Sequence, residues 1–86
     1  MQVTVYGPLR SAAGGKTVDV APSGATVRDL LDAFVARHPS AETHLYDESG
    51  GVRPSVRVMV GARKAALDDA IPDGEPVKLF PAMRGG

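Results

Sequence analysis

The stretch TVRDLLDAFVARHP, residues 26–39, decides the fold. Val27, Leu30, Leu31, Phe34 and Val35 recur at the spacing that puts apolar side chains on one face of an α-helix. Thr26 stands before the first of them and Asp29 three residues later, the pattern of a capping box. Asp29 in the first turn and Arg37 and His38 in the last suit the helix dipole. Pro39 ends the helix near His38, because a residue before proline avoids helical angles. A single apolar stripe of this kind needs a second layer to bury against.

The flanking segments supply that layer. Residues 2–6 alternate, with Val3 and Val5 on one face and Gln2, Thr4 and Tyr6 on the other, which predicts a half-buried strand. Gly7-Pro8 ends it, and Arg10 to Gly15 reads as a loop or turn. Residues 16–20 alternate again, with Val18 and Val20 inward, as the return strand of a hairpin. Pro22-Ser23-Gly24 separates this hairpin from the helix. Beyond the helix, residues 40–46 read as a short second helical piece carrying Leu45 and Tyr46, and residues 47–51 as a polar turn. Residues 55–60 form the next expected strand, with Val56, Val58 and Val60 inward and Ser55, Arg57 and Met59 outward. Residues 65–71 show no clean period, with Leu67 and Ile71 as core anchors. Asp73-Gly74 is a turn signal. Residues 77–80 are the last strand, with Val77 and Leu79 inward and Lys78 and Phe80 outward, and Pro81 closes it. Residues 82–86, Ala-Met-Arg-Gly-Gly, have no periodicity and are expected to form a free tail. The expectation is a two-layer α+β domain over residues 1–81, a mixed four- to five-stranded sheet packed on one main helix, with a flexible tail at 82–86.

Composition bounds the function. Eighty-six residues fit one domain, and 43% hydrophobic residues suffice for one core. Aromatics are 5%, so the core must be aliphatic. Ten basic side chains balance ten acidic ones, so the overall field gives no case for a nucleic acid or an anionic membrane as partner. The absence of cysteine excludes disulfides, thiolate metal sites and a cysteine nucleophile. No apolar run approaches the ~20 residues of a membrane span. The N-terminus enters a strand pattern at Gln2 without a signal-peptide pattern, so a cytoplasmic location is expected.

The element order, the Asp73-Gly74 turn, the Leu79-Phe80-Pro81 strand end, the Arg53-Pro54 step into a valine-rich strand and the final Gly85-Gly86 together resemble the ubiquitin-like β-grasp sulfur carriers. That family includes the molybdopterin synthase small subunit, the thiamin-pathway carrier, an actinobacterial cysteine-synthesis carrier and small archaeal modifiers. The resemblance spans essentially the whole chain. Ala82 stands where the family often has a second proline, and Arg84 where it often has a small residue. Arg84-Gly85-Gly86 is similar to the end of ubiquitin itself. The resemblance implies a carrier rather than an enzyme, with no stably bound cofactor. A ubiquitin-activating-type adenylyltransferase, using ATP and Mg, would adenylate the carboxylate of Gly86. A sulfur donor would then convert it to a thiocarboxylate, and a synthase subunit would accept the sulfur. It also implies a second use, conjugation through Gly86 to lysines of other proteins. Molybdopterin, cysteine, thiamin, thiolated tRNA and specialised metabolites are all open as destinations of the sulfur.

The residues meet the demands of that role. Ala82, Met83, Arg84, Gly85 and Gly86, fully extended, reach about 17 Å at ~3.4 Å each. Gly85 and Gly86 lack a Cβ and can pass a narrow slot. Tyr6, Met59 and Phe80 share the outward parity of their strands with Arg57 and Lys78. If those strands are neighbours, the five form a docking patch for a partner. The remaining candidates are weak. His38 reads as a helix-end residue rather than a metal ligand with His44. Asp47-Glu48 and Asp68-Asp69 read as turn residues rather than paired acid and base. Gly14-Gly15-Lys16 lacks the spacing of a phosphate loop.

Overall fold

A computed structural model describes residues 1–21, 24–72 and 74–81. Its sheet has five strands, β1 (Gln2–Val5), β2 (Thr17–Asp19), β3 (Arg57–Val60), β4 (Arg63–Ala65) and β5 (Val77–Phe80), in the spatial order β2-β1-β5-β3-β4. β1 runs parallel to β5, and every other pairing is antiparallel. The first and last strands therefore lie side by side at the centre. The main helix, α2 (Val27–Arg37), crosses one face of the sheet; a short helix α1 (Pro8–Ala13), a 3-10 turn (Pro39–Ala41) and a one-turn helix α3 (Glu42–Leu45) complete the chain. This is the expected α+β, β-grasp architecture.

The inner face carries the valines that alternation assigned to it. Val3, Val5, Val58, Val60, Val77 and Leu79 are buried against Val27, Leu30, Leu31 and Phe34 of α2. Each fully buried side chain of this size contributes about 1.5–3 kcal/mol of transfer free energy. Val35 and Leu67 pack at the margin of this core, and Ile71 and Leu45 lie inside it.

The start of α2 is closed on all sides. Thr26 Oγ1 accepts from the Asp29 N–H at 3.2 Å, and Asp29 Oδ2 accepts from the Thr26 N–H at 3.1 Å, so the expected capping box is formed. The Val27 and Arg28 N–H groups, which have no partner within the helix, donate to the carbonyls of Asp69 and Leu67 at 3.0 Å each. The aperiodic segment after β4 is thus a backbone clamp on the helix end. At the other side of α2, the Tyr46 hydroxyl donates to Asp32 Oδ1 at 2.7 Å. Partial burial, then this hydrogen bond, push the Tyr46 hydroxyl above the usual phenol range.

One expectation is corrected and one strand is added. Arg10 to Ala13, read as part of a loop or turn over residues 10–15, lie in the helix α1: Pro8 takes the first helical position, Leu9 is buried and Gly14 ends the helix at φ 81°. Residues 63–65 are a strand, although they have no apolar alternation; β4 exists because it completes a hairpin with β3, Val58 opposite Ala65 and Val60 opposite Arg63. Several strands are also shorter than alternation suggested, β3 beginning at Arg57 rather than Ser55. The calls on Pro22, Ser23, Asp73 and the tail 82–86 lie outside the described residues.

The capping box has a measurable share of the stability. Thr26→Ala is expected to lower the unfolding free energy by about 1 kcal/mol in chemical denaturation, with the native spectrum retained. An unchanged midpoint would mean that the Asp69 and Leu67 carbonyls hold the helix end without it.

Candidate functional site

The parallel pairing of β1 with β5 builds the site. Its register sets Thr4 beside Lys78 and Val5 beside Leu79, so the next step along both strands brings Tyr6 to Phe80. The two rings stack with centroids 4.3 Å apart and planes 7° from parallel. That separation is close to the spacing of adjacent strands, so neighbouring strands bring the rings into register. The Arg10 guanidinium lies over the Tyr6 ring, Cζ 5.4 Å from the centroid, on the side that Phe80 leaves free. Arg10 Nε donates to the Val5 carbonyl at 3.1 Å, which anchors that arm.

β3 extends the face across β5. Arg57 stands opposite Phe80, and Met59 opposite Lys78. Met59 in turn faces Lys64 of β4. Two rows cross the outer face, Tyr6–Phe80–Arg57 and Thr4–Lys78–Met59–Lys64. The five residues singled out as docking candidates are therefore brought together. Tyr6, Phe80 and Met59 are half-buried, while Arg57, Lys78, Lys64 and Arg10 are exposed. The apolar surface is narrower than parity suggested, because the rings cover each other and cations interleave with them. Lys64 and Arg10 were not anticipated. Both sit on elements that the sequence pattern did not reveal, β4 and α1.

The exit of the chain lies at the head of the aromatic row. Pro81 is buried. It packs under Gly7, whose backbone has φ 58° and ψ −139°, a conformation open to glycine and costly to other residues. A Cβ at Gly7 would stand 3.2 Å from Pro81 Cγ. The turn from β1 into α1 thus holds the base from which residues 82–86 continue. Ala82, Met83, Arg84, Gly85 and Gly86 themselves lie outside the described residues.

The other titratable candidates serve the fold. Asp47 Oδ1 accepts from Ser49 Oγ at 2.6 Å, the Ser49 N–H at 2.9 Å and the Gly51 N–H at 3.1 Å. The Ser49 hydroxyl, then the Gly51 N–H, hold its carboxyl below the usual carboxylate range. Asp69 Oδ2 accepts from the Ala66 N–H at 2.8 Å and lies 3.8 Å from Arg63. His38 closes α2 through its backbone N–H to the Phe34 carbonyl at 2.8 Å, and its ring lies against Phe34. Among the described residues no group of His, Asp or Glu is arranged to hold a metal ion.

This fold, with its carboxyl-terminal strand at the sheet centre and a side-chain-poor sequence beyond it, has known relatives. Residues 3–86 match the ThiS family. The chain belongs to that family. It is 36% identical to small archaeal modifier protein 1 of Haloferax volcanii over 87 residues, all of both chains. The crystal structure of that protein superposes with a TM-score of 0.87, over 100% of this chain and 98% of the other. A chain of the Amycolatopsis orientalis BexX/CysO complex is 28% identical, with a TM-score of 0.76 over 99% of this chain and 98% of the other. A putative molybdopterin converting factor subunit 1 from Pyrococcus furiosus is 29% identical, with a TM-score of 0.72 over 95% of each chain. The chain is accordingly a member of the ubiquitin-like β-grasp sulfur-carrier family, whose small proteins are carriers or modifiers. No helix among its described residues is long and apolar enough to cross a membrane.

The aromatic pair sets the geometry of this face and can be measured directly. A double-mutant cycle on Tyr6→Ala and Phe80→Ala should return a coupling of about 0.5–1.5 kcal/mol in denaturation midpoints. Additive losses would show that the rings touch without stabilising each other.

Proposed function

We propose that the protein is a sulfur carrier charged at the carboxylate of Gly86. A ubiquitin-activating-type adenylyltransferase, holding ATP and Mg, binds the outer sheet face and takes residues 82–86 into its active site. A Gly86 carboxylate oxygen attacks the α-phosphorus of ATP, and pyrophosphate leaves. A hydrosulfide-level donor then attacks the acyl carbon, the bond to AMP breaks, and the thiocarboxylate forms. Its sulfur passes to an acceptor held by a synthase subunit, in molybdopterin, cysteine or related sulfur-metabolite synthesis. The protein's part is delivery rather than catalysis. Phe80, Tyr6, Met59, Arg57 and Lys78 dock the partner, and Ala82, Met83, Arg84 and Gly85 thread the carboxylate to it.

One observation carries this reading: the family match runs through residue 86 and so includes Gly85-Gly86 beyond the end of β5. The physical argument agrees with it. Pro81 is pinned under Gly7, so the five residues after it have a fixed origin. Five residues beyond that origin span at most about 17 Å. The docked enzyme then meets the carboxylate at high effective concentration.

Conjugation to lysines is the second reading. It is favoured by the 36% identity to a protein named as a modifier. It uses the same acyl-adenylate, with a lysine amine as the final acceptor. Gly-Gly remnants on lysines of other proteins would mark it.

Deleting Gly86 tests both uses at once. The shortened chain should keep its thermal midpoint and give no pyrophosphate release with the adenylyltransferase encoded in the same genome. Pyrophosphate release at the full-length rate would overturn the assignment of Gly86.

A further inference from the structure

The chain is neutral overall, but four of its cations gather around the outer sheet face. Arg57, Lys78 and Lys64 stand on the outer sheet face, and Arg10 lies at its head over Tyr6. Two described carboxylates also border this face. Asp19 faces Gln2 on the edge strand, and Glu75 lies beside Gln2 and Thr4. Gln2 is four residues along β1 from Tyr6, about 13 Å away at the rise of a strand. Of the other described acidic residues, Asp29 and Asp32 lie on α2, Glu42 on α3, Asp47 in its turn and Asp69 in the clamp. The charged side chains placed against the aromatic row are Arg57 and Arg10, with Lys78 in the next row, a local arrangement that the net charge of zero conceals.

Resting on the carrier reading, we infer that the adenylyltransferase meets this face with an acidic patch, its carboxylates pairing with Arg57, Lys78 and Arg10 around the edges of the Tyr6–Phe80 stack. Three features select carboxylates on a protein as the complement. A guanidinium such as that of Arg57 offers a planar fork matched to a carboxylate. The half-buried rings and Met59 supply an apolar centre, and the cations form its rim, as in a protein–protein interface. The rings also spend one face each on their mutual stack. Phe80 covers one face of Tyr6 and Arg10 the other. A single-stranded nucleic acid gains most where aromatic faces are open to its bases; here the stack takes up one face of each ring and Arg10 lies over Tyr6. The interface is thus built for steering: opposite charge gathers the partner, and the ring edges and Met59 fix the register.

The experiment measures binding separately from chemistry. Association of the full chain with the purified adenylyltransferase is followed by biolayer interferometry at about 50 mM and about 500 mM salt. The acidic-patch proposal expects binding at low salt to weaken at least about tenfold at high salt. The double variant Arg57→Glu with Lys78→Glu should bind at least about tenfold more weakly at low salt and lose most of the salt dependence. The neutral pair Arg57→Gln with Lys78→Gln should fall between. Arg28→Glu with Arg37→Glu, on the helical layer, should bind as the unaltered chain does. Circular dichroism and thermal midpoints confirm that each variant is folded.

Binding indifferent to the charge reversal, or no binding of the unaltered chain to the enzyme, overturns the inference. So does salt-dependent capture of an oligo-dT strand, tighter than the enzyme and abolished by the same reversal. Ionic, face-dependent binding without pyrophosphate release would leave the inference standing and remove the carrier reading. Pyrophosphate release with charge-indifferent binding would do the reverse.

Discussion

The parallel pairing of β1 with β5 is the constraint on which the rest of the molecule depends. It puts the first and last strands side by side at the centre of the sheet. A parallel neighbour cannot be reached by a tight hairpin, so the chain must cross over a face of the sheet. α2 makes that crossing and is buried by it. The same register sends β1 and β5 out at one end, where Tyr6 meets Phe80 and Gly7 covers Pro81. The inner face then holds the stability and the outer face is left for function. A slip of one residue would exchange those faces and expose the valines.

The division of labour between the two faces explains which sequence signals were readable. α2 was legible in full, because its apolar residues, its capping box and Pro39 all agree. The inward valines were legible because a half-buried strand repeats every second residue. α1 was not. Its six residues lie between Gly7-Pro8 and Gly14-Gly15, and those turn signals outweighed one buried leucine. β4 was not legible either. Arg63-Lys64-Ala65 has no strand pattern of its own, and the pairing with β3 imposes its conformation.

The candidate site shows the same limit. Alternation put Tyr6, Met59, Phe80, Arg57 and Lys78 on outward faces, but parity says nothing about which strands are neighbours. The strand order brought them together, and it added Lys64 and Arg10 from the two elements that pattern had hidden. Net charge was equally blind. Ten cations and ten anions cancel in the sum, while Arg57 and Arg10 both stand against the aromatic row. The resemblance to β-grasp carriers was carried by element order and by the ends of the last strand, and the ThiS family match over residues 3–86 agrees with it. The chemistry at Gly86 is a proposal that rests on that kinship.

Top-down mass spectrometry of the protein after incubation with its adenylyltransferase, ATP, Mg and a hydrosulfide source tests the central claim most directly. The account predicts exchange of one oxygen for sulfur, confined to the fragment that ends in Gly86 and dependent on ATP. An unchanged mass with an active enzyme, or sulfur located on any other residue, would contradict it.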